Sequence, residues 1–178
     1  MKVCFWNNHH ISTWCPVFAA FNYYDKGAGD ALVQLARRFV APAETTQSKA
    51  INLLGATPLD FSTNGDVKAC RALFEQAGYT VLADFAMHST LDDIARSSSA
   101  AANVVLSTSG LPLARWFKKE FGTPYICGVP VGVKGAEALL AQLEATLTAA
   151  PLAQEAPTGE KNPRCPRPNC RKQHPLRP

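Results

Sequence analysis

Three groups of residues combine types and spacings that could do chemistry. Cys4, His9, His10 and Cys15 form a C-x4-H-H-x4-C pattern near the start of the chain. Thiolate and imidazole are the ligands of zinc and iron–sulfur sites. The pattern lacks a C-x2-C pair, however, and a short irregular arm would have to bend sharply to bring the four together. The competing reading is an arm that is packed on a partner or poorly ordered. Cys165, Cys170 and His174 offer three more ligands at C-x4-C-x3-H, which matches no zinc module. Gly27 and Gly29 invite a phosphate-loop reading, but no strand precedes them and no third glycine follows at dinucleotide-fold spacing. Cys4, Cys15 and Cys127 stay as thiols to watch for metal binding, without forming a complete set, and the residues alone build no complete catalytic constellation.

The totals bound what these groups can be part of. A chain of 178 residues with 47% hydrophobic and 18% charged residues holds one globular domain with small appendages. No window reaches the roughly 18 consecutive apolar residues of a membrane helix. The start does not read as a secretory signal, because polar residues from Asn7 to His10 interrupt the apolar run, so the expected location is cytoplasmic. The formal charge of +4 is carried by the last stretch, through Lys161, Arg164, Arg167, Arg171, Lys172 and Arg177. The remainder is near neutral, which argues against a nucleic-acid partner. Six scattered cysteines, with Cys70 and Cys127 inside expected core elements, fit a reducing compartment better than a disulfide framework.

The elements that would position any site read β-α-β-α-β-α-β over residues 51–132. A lead-in helix comes first. Asp30 is the expected N-cap, and Leu32, Leu35, Ala36 and Phe39 recur at helical spacing. Residues 43–49 read as polar linker. Residues 50–57 form a first strand whose continuous apolar run suits burial on both faces. A helix over 66–77 follows, closed by Gly78. The second strand is 79–85. Ser89 or Thr90 caps the next helix, where Asp93 brings the pattern close to a capping box, and 97–99 reads as polar linker. The third strand is 102–107, its helix is 111–121, the fourth strand is 125–129, and a last helix covers 135–148. This alternation implies a Rossmann-like α/β fold, a parallel sheet of about four strands with helices on both faces. Residues 1–22 form an N-terminal arm and 23–150 the domain. The proline-rich basic tail of 151–178 is expected to be disordered.

In such sheets, ligands lie beyond the carboxyl ends of the strands. The expected rim comprises Gly55, Asp60, Asn64 and Gly65 after the first strand and His88 after the second. Ser107, Thr108, Ser109 and Gly110 follow the third, and Gly128 and Gly132 the fourth. Asp66 reads as a first-turn carboxylate rather than an acid–base group, His88 as a surface histidine, and Cys127 as core.

The central stretch resembles the nitrogenase component 1 type oxidoreductases. The resemblance is carried by INLLGATPLDF at 51–61, Asn64-Gly65 leading to EQAG at 75–78, and STLDDI at 89–94. It continues through ANVV at 102–105, FGTPY at 121–125 and GVPVG at 128–132, with YDKGAGD at 24–30 as lead-in. It implies about one of three similar Rossmann-like domains, hence a truncated or divergent member. It also implies an iron–sulfur metallocluster, a paired component 1-type subunit, and a separate ATP-dependent iron–sulfur reductase. The chain is not that reductase, since it has no G-x-x-x-x-G-K-[ST] stretch. In the family's catalytic alpha chain a cysteine after the strand matching 103–106 holds the cofactor. Here that place reads Ser107-Thr108-Ser109-Gly110, and hydroxyls are poor ligands for a soft cluster. The resemblance with these departures implies an oxidoreductase subunit whose cluster is not held by this chain alone. The alternative is a non-catalytic remnant acting as a binding or scaffold domain. An unrelated small nucleotide binder is disfavoured by the missing glycine fingerprint.

Overall fold

The structure is a computed structural model, and it describes residues 23–61 and 66–149. The expected arm and tail, with Cys4, Cys15, Asn64 and Gly65, lie outside the described residues. The described elements run α1 (Tyr24–Phe39), β1 (Gln47–Leu54), α2 (Asp66–Gln76), β2 (Thr80–Ala83), α3 (Leu91–Arg96), β3 (Ala100–Val105), α4 (Leu111–Phe121), β4 (Tyr125–Cys127) and α5 (Gly132–Ala149). Short 3-10 turns at Ser97–Ser99 and Thr108–Gly110 precede β3 and α4. The strands form one four-stranded sheet in the order β2-β1-β3-β4, every neighbour parallel.

Strand alternation divides the core into two layers. Ile51, Leu53, Val81, Ala102, Val104 and Ile126 meet Val67 and Phe74 of α2 and Leu139 and Leu143 of α5. Leu54, Ala83 and Val105 meet Leu32 and Ala36 of α1, Ile94 of α3, and Leu113, Ala114 and Phe117 of α4. Phe117 is fully buried and takes Phe85 edge-on, with ring centroids 5.7 Å apart. Burying a side chain of that size stabilises by about 2–3 kcal/mol.

Several boundaries differ from those read in the sequence. Helix α1 begins at Tyr24, so Asp30 is an interior residue; it pairs with Lys26 at 3.2 Å instead of capping. Of the two glycines in α1, Gly27 has open space around it and Gly29 serves packing. A Cβ on Gly29 would sit 2.7 Å from Pro112 Cγ and 2.9 Å from the Ser109 carbonyl, so only glycine lets α1 lie this close to the start of α4. Strand β1 starts at Gln47, inside the expected linker, and ends at Leu54. Gly55 then turns the chain at φ +84°. The serines at 97–99 are buried rather than a solvated linker. Each hydroxyl bonds a backbone carbonyl: Ser97 to Ile94, Ser98 to Ala41 and Ser99 to Arg96. Cys127 is exposed, not core, because β4 is a three-residue edge strand and Cys127 is its last residue. The expected capping box is present: Thr90 Oγ1 accepts from Asp93 N, and Asp93 accepts from Thr90 N at 2.9 Å.

Candidate functional site

The carboxyl ends of β1 and β3, the two central strands, are joined by hydroxyls around one carboxylate. Asp60 Oδ2 lies 2.8 Å from Ser107 Oγ, 3.0 Å from Ser109 Oγ and 3.1 Å from Thr57 Oγ1. Ser107 and Ser109 are 2.7 Å apart, and Ser107 Oγ also reaches the Gly55 carbonyl at 2.7 Å. Tyr24 OH closes the chain at 2.5 Å from Thr57 Oγ1. Since a carboxylate only accepts, proton order can run from Tyr24 through Thr57 to Asp60. Ser109 is fully buried while Asp60 is exposed, so the network runs from the core to the surface.

Two glycines make this closeness possible. A Cβ on Gly110 would sit 2.5 Å from the Leu54 carbonyl carbon and 2.6 Å from Gly55 N. A Cβ on Gly55 would sit 2.7 Å from Gly110 N. The backbones after β1 and β3 are therefore in direct contact, with the serine hydroxyls laid over the junction.

The loop after β2 forms a second, separate cluster. Asp84 is 1% exposed. Its Oδ1 accepts from Met87 N at 3.2 Å, His88 N at 3.0 Å and Ser89 Oγ at 3.1 Å, while Asp84 N donates to Ser89 Oγ at 2.7 Å. The winding needed for these bonds puts Phe85 at φ +63°, a strained value for a bulky residue. Among the described residues Asp84 Oδ2 has no hydrogen-bond partner. It lies 3.3 Å from His88 Nδ1, a contact that becomes an ion pair when the imidazole is protonated.

Of the rim residues expected from sequence, Gly55, Asp60, Ser107, Ser109 and Gly110 come together. Thr108 is on the same turn but exposed. His88 stands apart with Asp84. Gly128 packs under Leu139, whose Cδ1 would be 2.9 Å from an added Cβ, and Gly132 opens α5 at φ +67° in open space. Sequence reasoning missed Tyr24, Thr57, Asp84 and Ser89 as members of these clusters. Thr57 and Asp60 do carry a local signal, a hydroxyl and a carboxylate three residues apart at a strand end, as in side-chain-stabilised turns. The contact from Tyr24 is tertiary and has no such signal.

Among the described residues the donor set does not suit a metallocluster. Among the described residues no three His, Cys, Asp or Glu side chains converge as a metal site. The two described cysteines are Cys70, buried in α2, and Cys127, exposed at the end of β4. Burial pushes the Cys70 thiol above its ordinary pKa, and Asp66 adds to the shift, which disfavours the thiolate a metal needs. The described residues do not fit a cluster held by this chain alone.

A parallel sheet bearing helices on both faces and a polar rim at its strand ends defines a Rossmann-like α/β domain. Comparison with known proteins specifies it further. Residues 9–163 match the family described as nitrogenase component 1 type oxidoreductase, and the chain belongs to that family. It is similar to the B subunit of light-independent protochlorophyllide reductase from Prosthecochloris aestuarii, with 33% identity over 69% of this chain and 24% of the relative. The corresponding protein from Cereibacter sphaeroides is 32% identical over 73% of this chain and 25% of the relative. The chain thus spans about a quarter of the length of these relatives. Among solved structures, "Nitrogenase Cp1 at pH 6.5" superposes with a TM-score of 0.55 at 19% identity, covering 70% of this chain and 26% of that one, which supports the fold. No helix among the described residues is long and apolar enough to cross a membrane.

Proposed function

We propose that this chain is a subunit, or a fragment of one, in a reductase resembling light-independent protochlorophyllide reductase, and that it corresponds to part of the B chain. In this reading it works in reductive electron-transfer chemistry through an iron–sulfur metallocluster completed by a paired component 1-type subunit, with an ATP-dependent iron–sulfur reductase supplying electrons in the cytoplasm. The observation that carries the reading is the identity of about a third to these B chains across some seven-tenths of this one. The rim supports the shared-cluster part: where a cluster-holding chain would offer thiolate after β3, this one offers Ser107 and Ser109, whose hydroxyls already bond Asp60 and Gly55. In this role the rim residues Gly55, Asp60, Ser107, Thr108, Ser109 and Gly110 face the partner or its cofactor, and His88 and Gly128 flank them.

The experiment is iron and acid-labile sulfide content of anaerobically purified protein, alone and co-expressed with a subunit of the paired type. Iron retained only with the partner supports the reading. No iron in either case supports the second reading, a non-catalytic binding or scaffold domain. That second reading has its own observation, the lack of a converging metal-ligand set among the described residues.

A further inference from the structure

Strand β2 lies at one edge of the sheet, paired among the described residues with β1 alone. An unpaired edge offers free backbone groups to any other strand. The direction of those groups follows from the pairing. Leu106 N donates to the Leu54 carbonyl, so Leu54 and, two residues back, Asn52 turn their backbone groups toward β3. Ile51 and Leu53 therefore turn theirs toward β2. Val81 stands opposite Ile51. In a parallel pair the bonds from Ile51 go to the neighbours of its opposite residue, so the N–H and C=O of Val81 point outward, away from β1.

Three contacts within the chain meet this edge. Tyr79 N, just before β2, donates to the Phe74 carbonyl at 3.0 Å. Asp84 N, just after it, donates to Ser89 Oγ at 2.7 Å. Between them the Val81 carbonyl accepts from Arg71 Nη2 at 2.7 Å. Arg71 reaches there from α2, and its Nε donates to Oε1 of Glu75, one turn further on, at 2.9 Å. The two outer contacts belong to the turns that enter and leave the strand. The middle one is a single side chain, 34% exposed. A surface ion pair of this kind adds little stability, so its consequence lies in where it holds the guanidinium.

We propose that Arg71, braced by Glu75, is a plug that keeps the β2 edge from pairing with the same edge of a second copy of this chain. A second copy fits because Val81 turns both of its backbone groups outward. Two antiparallel β2 strands related by a twofold axis at Val81 would exchange N–H to C=O bonds in both directions, the closely spaced pair of an antiparallel ladder. The Val81 side chain is already buried with Val67 and Phe74 of α2, so the joint asks for backbone alone. Arg71 occupies the carbonyl that such a joint needs.

The plug stands independently of the cluster chemistry. Its test is sedimentation velocity of the full chain over a concentration series, with amide hydrogen exchange of peptides covering 78–84 read at both ends of the series. Strand β2 has only four residues, so the series extends to high concentration. Arg71→Ala is expected to raise the sedimentation coefficient with concentration relative to the parent, and to slow exchange in 78–84 as it does so. Adding Thr80→Lys, at an exposed position of the strand, sets like charges beside the joint and should return both readings to those of the parent. Glu75→Ala leaves the guanidinium in place but unbraced, and should give a smaller shift of the same sign. It is the deciding variant if Arg71→Ala loses its helical circular dichroism. Folded variants that sediment as the parent does overturn the proposal. So does association that Thr80→Lys leaves unchanged, or association that slows exchange elsewhere and not in 78–84, which would place the contact on another surface.

Discussion

Asn52 and Asn103 stand opposite each other on β1 and β3, and Asn52 Nδ2 donates to Asn103 Oδ1 at 2.8 Å in a fully buried setting. The second hydrogen of Asn52 Nδ2 goes to the Ser97 carbonyl at 2.9 Å. This polar pair lies in the layer covered by α1, α3 and α4 and ties the sheet to the turn that feeds β3. A slip of β1 against β3 by one residue would leave both amides facing apolar side chains.

Asn52→Ala is expected to destabilise the protein by about 2 kcal/mol, because the Asn103 and Ser97 acceptors stay buried without a donor. The double change Asn52→Leu with Asn103→Leu should cost less than the sum of the two single changes, since it removes both halves of the pair. Urea denaturation of the parent, Asn52→Ala, the two single leucine variants and the double variant measures this; strict additivity of the leucine changes would show that the pair is not coupled.

Ser109→Ala should cost about 1–2 kcal/mol, since Ser109 is buried and bonds Asp60 and Ser107. Asp60→Asn should cost less, because Asp60 is exposed and water can replace lost partners. The thermal midpoints of the two variants give the order directly.

Glycine-to-alanine changes should split by surroundings. Gly110→Ala forces a methyl against the Leu54 backbone and should cost about 3 kcal/mol. Gly135→Ala, inside α5 with nothing within 4 Å of the new Cβ, should stabilise by about 0.5–1 kcal/mol. Chemical denaturation of both tests whether these glycines are kept for close approach or are incidental.

The Asp93 carboxyl is held below its ordinary value of 3.8, chiefly by the Thr90 backbone N–H, then by the Thr90 hydroxyl, with Arg96 assisting. A folded-state value below the unfolded one adds stability that is complete above the unfolded value. It fades as pH falls through the folded value. Asp93→Asn should therefore lower the melting point at pH 7, and the gap to the parent should close below about pH 4. A gap that persists at pH 2 would mean that the cap acts through shape rather than charge.

Alkylation at pH 8 should modify Cys127 well before Cys70. Cys127 is exposed, whereas Cys70 is buried with its thiol pushed up by desolvation and then by Asp66. Peptide mapping at short times distinguishes them. Equal rates would mean that α2 opens readily around Cys70.

Much of this architecture was legible because it is local. The bounds of α4 at Leu111 and Phe121 follow from an apolar face, a proline in the first turn and Gly122 in the left-handed region after the last. The Thr90–Asp93 box is likewise written in four residues. The start of α1 was illegible for the opposite reason. Two glycines in seven residues argue against a helix on propensity, and only the approach of Pro112 explains Gly29. Cys127 misled because an apolar run does not say which strand is an edge or where it stops. At the rim, the polar residues were visible in sequence, but their division was not. Asp60 joins the serines after β3, while His88 joins Asp84, because partner choice depends on which strands sit side by side.

The contact between Gly55 and Gly110 has a mechanical consequence. With no side chains between them, the backbones at Gly55 and Gly110 pack directly on each other, which leaves little slack for a hinge at this junction. The loops after β2 and β4 are not tied by such a backbone contact between glycines. Adaptation to a new partner or cofactor is thereby steered to the flanks, where the turn of Asp84 and the stretch before Gly132 can be redrawn while the centre stays fixed.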